Sequence, residues 1–214
     1  MNGIKENNKP SRIHIILLIL VTIVFILSAI KTKSSYLVWL LETFPVFIGV
    51  TILIFTYKKF RFTNFVYILN LIQIIIILIG AHYTYGEVPL FNWIKEVYGL
   101  SRNHYDRIVH LVQGIIFAFI VREILIRKLK LKKGIILGIL VICVCLSISA
   151  FYELIEWGVC SILGESADAF IGFQGDKWDT HWDMLWALTG AVITVSIFYK
   201  VHDKYISKLE KRFK

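Results

Sequence analysis

Seven of the 15 carboxylates in this chain fall between Glu153 and Asp183: Glu153, Glu156, Glu165, Asp168, Asp176, Asp179 and Asp183. Histidines accompany them, with His181 in the same stretch and His104 and His110 on either side of Asp106. Carboxylate oxygens and imidazole nitrogens together suit Mg²⁺, Mn²⁺, Ca²⁺ or Zn²⁺. Such a group could activate water or polarise a phosphoryl oxygen. Spacing narrows the set. Asp106 and His110 are four apart and share one helix face, which Gln113 continues. Glu153 and Glu156 are three apart and share another. Asp176, Asp179 and Asp183 recur at i, i+3 and i+7, which predicts one stripe at the mouth of a helix. The candidate metal ligands are therefore Asp106, His110, Glu153, Asp176, Asp179 and Asp183. Glu156 and Glu153 are the candidate catalytic carboxylates, and His104 and His181 are further candidates. Arg102, Arg107 and Lys177 are placed to meet the phosphate of a lipid headgroup.

Each of these residues also has a plainer reading. Asp106 suits the N-terminal end of a helix dipole, and His110 a hydrogen-bonded interfacial position. Thr180-x-x-Asp183 fits a capping box. Glu153 could bond Arg107 or a tyrosine, and the three cations could anchor in headgroups. Trp157, Trp178, Trp182 and Trp186 read as an interface belt. Against the plain reading of Glu153 and Glu156 stands their depth. An acid at mid-span is disfavoured by about 2.5–3.5 kcal/mol on insertion scales, and two on one face need more than one hydrogen bond. There is no HExxH, EF-hand loop or GxSxG, so the metal's identity stays open. Glu42, just before Pro45, is given no role. Glu123 beside Arg122 reads as a surface pair.

The elements that must position these groups follow from composition. Of the 214 residues, 57% are hydrophobic, 14% aromatic and 18% charged, and mean hydropathy is +0.69. That excludes a soluble enzyme, a disordered tail and a disulfide-rich secreted module. Cys143, Cys145 and Cys160 form neither a CxxC nor a paired framework and read as packing residues. Six apolar runs, 13–30, 37–57, 65–83, 108–126, 134–157 and 182–199, approach the 20 or so residues that a spanning helix needs. The expected fold is an all-α membrane protein, a single bundle of six transmembrane helices over residues 1–214. The first run reads as an uncleaved signal anchor.

Net charge is +9, and the basic residues flank the apolar runs, which points to membrane topology and away from a nucleic-acid partner. One side of the six-span arrangement receives 18 Lys and Arg and the other 6. The basic excess places both termini in the cytoplasm and the acidic/His group on the extracytoplasmic side. The expected location is a bacterial inner (cytoplasmic) membrane, crossed many times, with membrane lipids as partners and the protein partner unknown. In the outer loop 84–107, Leu90, Phe91, Trp93, Ile94, Val97 and Tyr98 form a short amphipathic stretch in the interface plane. The basic tail 200–214, with Tyr205, Ile206, Leu209 and Phe213 at near-helical spacing, reads as a helix lying on anionic lipid.

The run Tyr85-Gly86-Glu87-Val88-Pro89-Leu90-Phe91-Asn92-Trp93, then Arg102-Asn103-His104-Tyr105-Asp106-Arg107, Glu153-Leu154-Ile155-Glu156-Trp157 and Gly175-Asp176-x-x-Asp179-Thr180-x-x-Asp183-Met184 resembles the YjdF-like family of bacterial inner-membrane proteins. The resemblance covers about residues 60–200 and implies the location and the fold, with no specific activity. More loosely, Asp106-Arg107-x-x-His110, Glu153 and Asp179/Asp183 resemble VanZ-like membrane proteins, which implies a shared fold and polar site.

Three functions fit these features. One is a divalent-metal-dependent hydrolase or transferase acting on a lipid or envelope precursor. Another is a non-enzymatic scaffold or binding protein whose acids fix helix packing. The third is a proton- or cation-coupled transporter, against which stands the lack of two related halves.

Overall fold

In hydrocarbon a backbone must satisfy its own polar groups, so each long apolar run has to be helical. The structure, a computed structural model, describes residues 10–164, 170 and 173–212. The readings of Glu165, Asp168 and Phe213 fall outside the described residues. The helices are α1 (Arg12–Ala29), α2 (Tyr36–Thr56), α3 (Asn64–Tyr83), α4 (Pro89–Tyr98), α5 (Tyr105–Arg127), α6 (Ile135–Leu163), α7 (Asp179–Ile193) and α8 (Tyr199–Arg212). A π-helical turn, Thr194–Phe198, joins α7 to α8 without a break. Among the described residues, six segments are long and apolar enough to cross a membrane. They are α1, α2, α3, α5, α6 and the continuous α7–α8 rod. The described residues contain no strand.

Local chemistry sets several ends. Ser35 Oγ accepts from the Val38 N–H to start α2, and Thr63 Oγ accepts from the Val66 N–H to start α3. Each satisfies a donor that a helix start leaves free. Gly99, at φ 61°, closes α4 in the left-handed region that glycine tolerates. As expected, α4 is amphipathic, with Leu90, Trp93, Val97 and Tyr98 exposed. The last two spans differ most from the sequence reading. Helix α6 runs on to Leu163 and the final helix opens at Asp179. The added end of α6, residues 158–163, is mostly apolar, whereas the last helix gains the polar residues Asp179, Thr180 and His181 at its start.

Helix α5 sits at the centre, packed against α3, α6 and above all α7. Two glycines allow the closest approach. A Cβ on Gly114 would run into the backbone of Ala187. A Cβ on Gly190 would lie against the Leu111 carbonyl and 2.7 Å from the Ile115 nitrogen. Lipid-solvated helices gain little from burying Leu against Leu, so small residues that let backbones touch carry the association. Large apolar residues such as Phe47, Phe55 and Ile162 accordingly face outward.

Two expectations are corrected at the end of the bundle that carries the termini. Glu123 and Arg122 are not a surface pair, because they are 0% and 4% exposed. Glu123 accepts from the Thr63 N–H at 2.8 Å and the Thr63 hydroxyl at 2.9 Å, and Arg127 reaches it one turn along α5. His202 Nε2 lies 3.3 Å away. The tail helix α8 is docked on protein and does not rest only on lipid. Ile206 is fully buried, and Tyr205 stacks on Phe65 at 4.5 Å between ring centroids. A buried Glu123 needs those partners, and α8 supplies one of them.

Candidate functional site

At the opposite end of the bundle, the first turns of α5 and α7 and the last turns of α6 meet. Asp106 and His110 lie on one face of α5, as their spacing requires, and are 4% exposed each. Asp183, one turn into α7, is 3% exposed. One ligand atom from each of these three residues lies within 4.8 Å of the others. His110 Nε2 is 3.5 Å from Asp106 Oδ1 and 3.9 Å from Glu153 Oε1 of α6. Glu153 and Glu156 share the buried face of α6, at 6% and 8% exposure. With α6 ending at Leu163, Glu153 sits about 15 Å from that end. The structure thus brings together Asp106, His110, Asp183 and Glu153, with Glu156 within Coulombic range of Asp106, Glu153 and Asp183.

Asp176 and Asp179 are engaged differently. Asp176 precedes α7, so the expected three-residue stripe is not on one helix. Its Oδ1 accepts from the Trp178 N–H at 3.0 Å, and its Oδ2 accepts from Arg107 at 2.7 Å. Asp179 forms a buried ion pair with Arg102. The capping box also does not form: α7 has no side-chain cap, and Thr180 lies within hydrogen-bonding reach of Glu153. Arg102 and Arg107 are thus committed to acids of the site, and Arg107 also lies over the Trp182 ring, 5.1 Å from its centroid. Lys177 is exposed and rests over Trp178 at 5.3 Å, and His181 packs edge-on against the same indole at 5.1 Å. His104 lies 3.3 Å from Arg107. Burial and then the Arg107 and Arg102 charges hold its imidazole below the usual histidine range.

The sequence reading left out Glu42. It is 1% exposed, and neither carboxylate oxygen has a hydrogen-bond partner among the described residues. It lies within Coulombic range of Asp106, Glu156 and three tyrosines, Tyr85, Tyr105 and Tyr152. Its signal was a lone acid in a 21-residue apolar helix. Ser149, one turn before Glu153 on α6, is also fully buried, and its hydroxyl has no hydrogen-bond partner among the described residues.

Charge balance defines what the site can do. With Arg102 and Arg107 matched to Asp179 and Asp176, five buried carboxylates remain: Glu42, Asp106, Glu153, Glu156 and Asp183. One imidazole, His110, faces them. Asp183 Oδ1, Glu153 Oε1 and both Glu42 oxygens lack partners among the described residues. Buried polar atoms without partners are rare in native proteins and point to an ion or water. The oxygen-and-imidazole donor set fits a hard or borderline divalent cation.

Residues 13–204 match the family described as "Predicted membrane protein (DUF2238)". The chain is 40% identical, over 187 residues that cover 87% of it and 89% of the relative, to "Inner membrane protein YjdF" of Escherichia coli (strain K12). No solved structure matches the chain.

Proposed function

The chain belongs to the DUF2238 family of predicted membrane proteins, and on the geometry of its polar cluster we propose that it is a divalent-cation-dependent hydrolase or transferase acting on a lipid or envelope precursor. The observation that carries this reading is the meeting of Asp106, His110 and Asp183, buried and with ligand atoms within 4.8 Å, beside carboxylate oxygens that have no hydrogen-bond partner among the described residues. These three residues and Glu153 would hold the ion. When bound, a divalent cation supplies a polarised phosphoryl or carbonyl oxygen and a more acidic water. Glu156, beside Glu153 but outside the three-residue cluster, takes the proton from water or from an acceptor hydroxyl. Arg102 and Arg107 hold Asp179 and Asp176 in place and so fix the start of α7, which carries Asp183. Placement near one end of the spans suits a substrate that arrives along the membrane plane. The looser VanZ-like resemblance adds only the expectation of a shared polar site.

A second reading, a scaffold whose acids fix helix packing, draws on the Arg102–Asp179 and Arg107–Asp176 pairs. The two readings part in one experiment. Detergent-purified protein is analysed for bound metal by mass spectrometry, beside Asp106→Asn and Asp183→Asn. The enzyme reading expects about one divalent ion per chain, lost in both variants. No bound metal, even after incubation with Mg²⁺, Mn²⁺, Ca²⁺ and Zn²⁺, leaves the scaffold reading.

A further inference from the structure

At the end of the bundle that carries both termini, the start of α6 stands away from α8 and leaves a cavity of about 550 Å³. Its two halves differ in chemistry. The interfacial half holds Arg122, Lys133 and Asp203, and the membrane half is walled by Ile139, Ile142 and Val195. Arg122 donates to Asp203 at 2.6 Å, and Lys133 lies 3.1 Å from the same oxygen. Two cations thus share one carboxylate. The N-terminus of α6 adds to the positive side. Its N-cap is Gly134, which has no side chain to accept from the first turn, and a helix start carries free N–H groups and about half a positive charge. The surrounding surface is apolar: Ile135 is 83% and Ile136 76% exposed. The π-turn makes the room, because Val195 and Ser196, which line the cavity, belong to it. Such wide turns recur at functional sites.

We propose that this cavity binds one anionic phospholipid from the leaflet on the side of the termini. The phosphate sits between Lys133, Arg122 and the first N–H groups of α6. One acyl chain lies along Ile139, Ile142 and Val195. The charge excess selects an anionic head, and the apolar wall selects a lipid over a free anion. Asp203 faces the same space and can accept from a hydroxyl of the headgroup. The positive-inside charge bias makes this the cytoplasmic leaflet, where anionic lipid contributes about 1 kcal/mol, or roughly fivefold in affinity, per basic side chain.

The test uses the full chain in a neutral detergent. Thermal unfolding and native mass spectrometry are followed on addition of phosphatidylglycerol, phosphatidylcholine of the same chain length, or inorganic phosphate. Phosphatidylglycerol is expected to raise the midpoint and to remain as a single adduct, and the other two to do neither. Lys133→Gln, at a side chain 46% exposed, should weaken phosphatidylglycerol about fivefold. Ser196→Trp, which fills the cavity from its exposed rim, should abolish the adduct. Equal protection by phosphatidylcholine, equal protection by phosphate alone, or unchanged affinity in both variants would overturn the proposal.

Discussion

Arg102 and Asp179, 77 residues apart in the chain, form a buried ion pair that pins the segment before α5 to the start of α7. Neither side chain is more than 4% exposed. Removing one partner of such a pair strands the other charge, at about 3–5 kcal/mol. Arg102→Gln should therefore lower the thermal midpoint of the purified protein markedly, as read from tryptophan fluorescence. Arg102→Met combined with Asp179→Leu should recover most of that loss. A double variant as unstable as the single one would show that Asp179 serves more than the arginine.

The contact between Gly114 and Gly190 leaves no space for a methyl group on either side. Gly114→Ala must push α5 and α7 apart and should destabilise by about 1–3 kcal/mol. The measurable effect is a lower midpoint and a smaller monodisperse fraction on size exclusion. Gly49, where an added Cβ meets nothing within 4 Å, is the control. Gly49→Ala should leave both readouts unchanged.

Glu42→Gln tests the reach of the acidic group. The substitution keeps the shape and removes one of five crowded carboxylates. Without divalent cation, in excess chelator, it should raise the thermal midpoint, since the amide brings two donors to a group made up largely of acceptors. Added cation should then stabilise the variant less than the parent, with affinity lower by about tenfold if Glu42 acts as an outer partner of the ligands. A titration followed by unfolding midpoint measures both effects. No difference from the parent in either condition would remove Glu42 from the site.

Glu123 is the corresponding test at the other end. It takes hydrogen bonds from Thr63 and Arg127 and faces His202, all buried or nearly so. Glu123→Ala should destabilise by about 3–5 kcal/mol and free α8. Limited proteolysis should then cut after Lys200 or Lys204, and the parent chain, with α8 docked, should resist the same cuts. Persisting protection would mean that Ile206 and the Tyr205–Phe65 stack suffice to hold α8.

Much of this architecture was legible in the residues themselves. Hydropathy located all six spans, because lipid forces every apolar run of that length into a helix. The YjdF-like motifs agree with the family. The pairing of Asp106 with His110 and of Glu153 with Glu156 followed from helical periodicity alone. What periodicity does not carry is which charges neutralise one another between helices. It set Asp176 and Asp179 beside Asp183 as equals, whereas the arginines at 102 and 107 claim the first two. It passed over Glu42, whose importance comes from the neighbours that α5 and α6 bring to it. It read Glu123 and α8 as surface because the partners of Glu123, Thr63 and the α8 residue His202, lie 60 and 79 positions away.

The π-turn at Thr194–Phe198 sets the rotational phase of the last span. Asp183 and His202 are 19 positions apart, and both must face α5, one at each end of the membrane. At about 100° per residue, 18 steps of α-helix complete five turns, and 19 overshoot by roughly 100°. The wide turn absorbs the surplus residue and returns the two side chains to one meridian. The rod can therefore grip α5 by an acid above and a histidine below, with the misfit confined to five residues in between. Deleting a single residue there would straighten the helix and leave both grips aligned, whereas inserting one would turn His202 away from Glu123.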